Sequence, residues 1–251
     1  MINSQWSNEA YSDGASPSSE GLLRLRPKFN PREDMGGVMF VHGAGSGATY
    51  CMDAYGRQGI LTQRIISEGY SGISGDNGGP QTWGNPTSVR RIESNLSELF
   101  GMGNVEAGKY ALVSGSMGGL NSFNYAAQAA VKPSAIVTVI PVINLEDIRA
   151  NNRGGYGSLI NAAYSGGYNE STMGQFFNPY TMRNADKLKG IPTLIFYGAS
   201  DTLCLPTYAT QFVAADPTYR QAVSLPYGHQ EEAYAAVDHD MVIAFLEEHL
   251  S

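Results

Sequence analysis

Short, uninterrupted apolar runs recur along the chain, and each ends at a glycine or a polar turn. Val38-Met39-Phe40-Val41 stops at His42-Gly43, Tyr110-Ala111-Leu112-Val113 runs into Ser114-Gly115, and Leu194-Ile195-Phe196-Tyr197 ends at Gly198. Ala135-Ile136-Val137-Thr138-Val139-Ile140 is a further run of this kind. Continuous rather than alternating apolarity predicts strands buried on both faces. Weaker strands are predicted over 21–29, over 70–75, where Gly72 and Gly75 interrupt the run, and over 223–225. Between the runs the apolar positions take helical spacing. Ile60, Leu61, Ile65 and Ile66 predict a helix that stops at Gly69. Asn85-Pro86 offers a capping side chain and a proline at the first helical position, ahead of a stripe made of Val89, Ile92, Leu96, Leu99 and Phe100. Residues 118–130 read as a small-residue helix suited to close packing on a sheet. Residues 231–249 read as one amphipathic helix that buries Tyr234, Val237, Met241, Phe245 and Leu246.

Strands separated by helical segments predict an α/β architecture, a mostly parallel central sheet flanked by helices on both faces. Right-handed crossovers then gather the carboxyl ends of the strands along one edge. His42-Gly43, Ser116, Asp201 and the loop with His229 are expected to converge there. The 251 residues suffice for one such domain, and no linker or internal repeat divides them. The polar stretch 1–19 reads as a flexible arm and 20–251 as the domain. About 146–190 reads as an insertion forming a short irregular cap. The insertion is rich in Gly, Asn and Tyr, as in Asn151-Asn152-Arg153-Gly154-Gly155-Tyr156, and carries Phe176 and Phe177. Mobile loops with aromatic contact surface are expected of it, either walling an acyl chain or sugar or pinning a lid to the body.

Composition removes several function classes. Only 16% of residues are charged and the net charge is −7, with no basic patch for nucleic acid. The pairs Arg24 and Arg26, and Arg90 and Arg91, read as solvated faces. No apolar run approaches the ~18 residues of a membrane span. The N-terminal stretch lacks the hydrophobic region of a secretory signal, so cytoplasmic synthesis is expected. Cys51 and Cys204 form no C-x-x-C and are expected as free buried thiols rather than a disulfide. The histidines His42, His229, His239 and His249 form no zinc spacing, so no metal is expected.

The chemistry is carried by Leu112-Val113-Ser114-Gly115-Ser116-Met117-Gly118-Gly119. A strand that turns directly into a helix at Ser116 exposes its hydroxyl on a tight, strained corner, and bulky neighbours would collide there. A serine hydroxyl needs a base, and the base needs an orienting acid, which in this architecture follow in the order Ser, Asp, His. Asp201 lies just past the strand ending at Tyr197 and the turn Gly198-Ala199-Ser200; a helix cap is its alternative role. Asp216, Asp238 and Asp240 are weaker candidates because none directly follows a buried strand. His229 sits in the loop between the last strand and the last helix, whereas His239 and His249 fall within or at the end of that helix. An oxyanion hole needs backbone N–H donors; Met117, after the nucleophile, and Ala44, after His42-Gly43, are the candidates. The glycines at 43, 45 and 47 lack the spacing of a dinucleotide fingerprint, and no Gly-Lys-Ser/Thr follows.

Val41-His42-Gly43, the run around Ser116, Phe196-Tyr197-Gly198-Ala199-Ser200-Asp201 and Gly228-His229 together resemble the α/β-hydrolase superfamily over residues 37–250. Ser114 departs from the strict G-x-S-x-G pattern but keeps a small side chain. The resemblance implies a Ser116–His229–Asp201 triad, no cofactor, and a carboxylic ester hydrolase working through an acyl-enzyme on a small-molecule or glycolipid ester. Acyl transfer, thioester cleavage and C–C hydrolysis use the same triad, and a silent binding or particle-structural protein can keep the same fold. Enrichment in Gly, Asn, Ser and Tyr, with Arg exceeding Lys, resembles phage-encoded cell-envelope esterases of the lysin B type. That likeness implies release by lysis or carriage in a phage particle.

Overall fold

The computed structural model describes residues 6–11, 21–27, 31–32, 35–52 and 58–251. Its strands are β1 (Trp6–Tyr11), β2 (Leu22–Pro27), β3 (Met35–Val41), β4 (Gly72–Gly75), β5 (Val105–Gly115), β6 (Ala135–Val139), β7 (Thr193–Gly198) and β8 (Arg220–Leu225). They form one eight-stranded sheet in the order β1-β2-β4-β3-β5-β6-β7-β8. β2 is antiparallel to both β1 and β4, and every other pairing is parallel. Val41 pairs with Ser114, Gly115 with Val139 and Gly198 with Leu225, so the strand ends that matter lie along one edge.

The continuous apolar runs are two interleaved sets, one for each face of the sheet. Val38, Phe40, Val113, Val137 and Phe196 face Ile65 and Ile66 of α1 (Gln58–Ser67) and Val242 and Leu246 of α10 (His239–Leu250). Met39, Val41, Leu112, Ile136 and Ile195 face α2 (Pro86–Phe100), α3 (Met117–Gln128) and α8 (Pro206–Ala214), which contribute Ile92, Leu96, Phe123 and Phe212. The predicted helix after Asn85-Pro86 is α2. The Asn85 side chain accepts the Thr87 and Ser88 N–H groups, each at 3.0 Å, as an N-cap does. β5 is longer than its apolar run, because 106–109 project beyond the buried part. Of the predicted strand over 21–29, residues 28–29 lie outside the described residues. Part of the stretch 1–19 is β1, paired with β2 from Trp6↔Pro27 to Tyr11↔Leu22; the remainder of it is outside the described residues. Arg24, read as solvated, pairs with Glu98 at 2.5 Å with 22% of its side chain exposed.

Two expectations are corrected. The single helix over 231–249 is two, α9 (Glu232–Ala235) and α10, because Asp238 caps α10 by accepting the Met241 N–H at 3.0 Å. The break resets the stripe to Val242, Ile243, Phe245, Leu246 and Leu250, and Met241 is 39% exposed rather than buried. The irregular cap also holds more helix than its composition suggested: α4 (Leu145–Ala150), α5 (Gly157–Ala163), α6 (Glu170–Phe177) and α7 (Pro179–Met182). Two of these helices start at an asparagine whose side chain caps them. Asn144 accepts the Asp147 N–H and Asn169 accepts the Ser171 N–H. Aromatic contacts fasten the cap to the body: Tyr156 lies 4.8 Å from Trp83, and the Tyr164 hydroxyl donates to the Trp83 carbonyl at 2.7 Å. Among the described residues no helix is long and apolar enough to cross a membrane.

At the start of β8, Arg220 is 2% exposed and donates to the carbonyls of Phe212, Arg183 and Leu188 at 2.9, 3.0 and 2.8 Å. It fastens α8 and the end of the cap to the sheet, and burial pulls its guanidinium below the ordinary value. Arg220→Met strands three carbonyls, and a urea melt is expected to give a loss of about 2–4 kcal/mol.

Candidate active site

Ser116 is the whole turn between β5 and α3. Its φ of 51° and ψ of −122° are backbone values that a side chain disfavours. Three hydrogen bonds hold it there. Its N–H donates to the Val139 carbonyl at 3.0 Å, and its own carbonyl accepts from Gly119 and Val142, each at 3.0 Å. Glycine is required on both sides for lack of room. A Cβ on Gly118 would overlap the Val41 carbonyl, and one on Gly115 would overlap the Tyr234 hydroxyl. Position 114 is less demanding. Ser114 is buried in β5 and its hydroxyl donates weakly to the Val137 carbonyl at 3.4 Å, which accommodates the departure from glycine.

The Ser116 hydroxyl donates to His229 Nε2 at 2.8 Å, and His229 Nδ1 donates to Asp201 Oδ2 at 2.9 Å. A carboxylate only accepts, so the ring proton sits on Nδ1 and Nε2 is free to accept. Asp201 is 2% exposed, and its other oxygen accepts the Leu203 and Cys204 N–H groups, both at 2.8 Å. With both oxygens committed, the carboxylate cannot turn away from the imidazole. The loops carrying Asp201 and His229 are themselves joined. Ala199 N–H donates to the Leu225 carbonyl at 2.8 Å and Ser200 N–H to the Tyr227 carbonyl at 3.1 Å.

The other candidates are engaged elsewhere. Asp216 accepts the Gly190 N–H, Asp238 caps α10 and Asp240 pairs with Arg64. His239 opens α10, and burial followed by the nearby Arg64 lowers its pKa. The His249 ring stands 4.6 Å from that of Phe245. His42 is 1% exposed; its Nδ1 lies 2.8 Å from the Gly43 carbonyl and its Nε2 lies 2.6 Å from the Asp76 carbonyl. It ties the Gly43-Ala44 loop to the loop after β4, a fastening that the His-Gly dipeptide alone did not reveal.

Ala44, Ser116 and His229 line one cleft of about 250 Å³. Tyr50, Ile140, Tyr156, Glu231 and Tyr234 also line it; Tyr156 belongs to the stretch read as a wall or lid, whereas Tyr234 reads from the sequence as ordinary core. Met117 is the first residue of α3, and among the described residues neither its N–H nor that of Ala44 has an acceptor. Both cysteines are free; Cys51 is buried and Cys204 is half-buried. Burial, then the charges of Asp201 and Asp147, push the Cys204 thiol well above its ordinary pKa. Asp201, Cys204 and His229 each offer one potential metal-ligand atom, all within 4.8 Å of one another.

No protein-family model matches the chain, and no curated protein matches it in sequence. Solved structures do match. An esterase of Pyrococcus furiosus is 15% identical with a TM-score of 0.67, over 98% of this chain and 92% of its own. An S-formylglutathione hydrolase from Agrobacterium tumefaciens is 12% identical with a TM-score of 0.73, over 97% and 95%. The fluorophosphonate-binding serine hydrolase F of Staphylococcus aureus is 14% identical with a TM-score of 0.69, over 96% and 98%. The fold is that of the α/β hydrolases. At such identities the likeness carries the α/β-hydrolase architecture and nothing finer.

The close approach at Gly118 yields a direct check. Gly118→Ala forces α3 away from the end of β3, and overpacking of this kind is expected to lower the thermal midpoint by about 4–10 °C. Gly47→Ala, where a Cβ meets nothing within 4 Å, is expected to leave the midpoint unchanged in the same melt.

Proposed function

We propose that the protein is a serine carboxylic ester hydrolase that works through an acyl-enzyme. The observation that carries this reading is the unbroken hydrogen-bonded line from the Ser116 hydroxyl through the His229 ring to Asp201, at 2.8 and 2.9 Å. Ser116 attacks the acyl carbonyl while His229 Nε2 takes its proton. The charge that develops on the carbonyl oxygen is met by the N–H groups of Ala44 and Met117, the latter at the positive end of α3. His229 then gives the proton to the leaving alcohol. Asp201 keeps Nδ1 protonated and stabilises the imidazolium. Water, activated by the same ring, attacks the acyl-enzyme and releases the acid. The named activities of the matched structures, esterase and serine hydrolase, agree with this chemistry.

The cleft also bears on substrate size. At about 250 Å³ it is smaller than the ~300–1,000 Å³ of common ligand pockets, and aromatic side chains close in on it. Small-molecule esters with short acyl groups fit such a space. In a series of p-nitrophenyl esters, kcat/KM is expected to be highest for acetate to butyrate and at least about 100-fold lower for palmitate, a difference of about 2.7 kcal/mol. A maximum at palmitate would reject the size argument.

The mechanism is tested with a fluorophosphonate probe and two variants. The native protein should be labelled, Ser116→Ala should not, and His229→Ala should lower ester turnover by about 10⁴-fold or more. Absence of labelling in the native protein would favour a silent binding role instead.

A further inference from the structure

We propose that Asp201, Cys204 and His229 form an inhibitory site for a borderline-soft divalent cation of the zinc type, placed so that occupancy switches the serine off. The inference rests on the proposed roles of Ser116 and His229 for its consequence, but not for the binding itself.

The donor set suits such an ion. A thiolate, an imidazole nitrogen and a carboxylate oxygen are the three ligand types that zinc takes together, and magnesium and calcium avoid the thiolate. The three donor atoms lie within 4.8 Å of one another. Tetrahedral zinc with bonds of about 2.0–2.3 Å needs donors about 3.2–3.8 Å apart. The Asp201–His229 contact of 2.9 Å must therefore open by a few tenths of an ångström, and the Cys204 thiol must swing inward. Asp201 keeps one oxygen on the Leu203 and Cys204 N–H groups while the other is released to the metal. The thiol is held by no hydrogen bond among the described residues, so its rotation breaks none.

The consequence follows from where the ring proton goes. In the metal-free site Nδ1 carries it and Nε2 accepts from Ser116. A metal bound at Nδ1 needs that lone pair, so the proton moves, through solvent, to Nε2. The thiol loses its proton to solvent as the sulfur–metal bond forms. One proton is released in total, and no electron changes hands. Nε2 now donates to the Ser116 oxygen instead of accepting its proton, and the base is lost while the fold and the cleft remain. A single site thus inverts the direction of the hydrogen bond on which the nucleophile depends.

The binding is read without activity in Ser116→Ala protein titrated with Co²⁺. A thiolate-to-cobalt charge-transfer band should appear, and it should be absent from Ser116→Ala/Cys204→Ala. In active protein, Zn²⁺ should abolish ester turnover, EDTA should restore it, and Mg²⁺ should do nothing. Cys204→Ala and Cys204→Ser, each referred to its own zinc-free rate, should need at least about tenfold more Zn²⁺ for half inhibition. Cobalt binding without a thiolate band overturns the proposal, and so does equal zinc sensitivity in native protein and either Cys204 variant. A band in protein that hydrolyses no ester would keep the metal site and reject the esterase reading, so the two failures stay apart.

Discussion

The structure depends on one residue being held where a side chain does not want to be. Ser116 keeps a positive φ because the sheet on one side and the start of α3 on the other both bond to its peptide groups. That corner converts a buried strand into a helix within one residue. It puts the hydroxyl at the sheet edge and the first amide of α3 beside it. The surrounding sequence is chosen for room: Gly115 and Gly118 have no Cβ because a hydroxyl and a carbonyl occupy that space. Strain here is local, and the large apolar layers on both sheet faces make it tolerable.

Much of this was legible in the sequence, for physical reasons. Strands β3, β5, β6 and β7 are buried on both faces, so their apolar runs are continuous and easily seen. The asparagine and proline that begin α2 act through local chemistry, and local chemistry is what a sequence displays best. Ser116, Asp201 and His229 could be named because each follows a strand end, and the fold gathers strand ends. What escaped reading depends on contacts between distant parts. Asp238 falls inside the stretch that reads as one helix, yet its side chain caps a new one. Met241 lost its buried place through that same break.

The cap illustrates a limit of composition. Gly, Asn and Tyr are shared by loops and by short capped helices, and only the partners decide between them. Asn144 and Asn169 each accept an N–H two or three residues ahead, so the same residue type that disfavours a helix interior begins one here. His42 is a similar case. Its neighbours suggested a loop near the nucleophile, but its contacts with the Gly43 and Asp76 carbonyls appear only when two loops meet.

The joined exits of β7 and β8 have a wider implication. Asp201 and His229 ride on a single welded unit, bonded from Ala199 to Leu225 and from Ser200 to Tyr227, while Ser116 rides on another. The hydrogen-bonded line from Ser116 to Asp201 therefore reduces to the fit of these two pieces. A scaffold partitioned in this way can retain its architecture while sharing only 12% to 15% of its residues with the Agrobacterium and Pyrococcus structures.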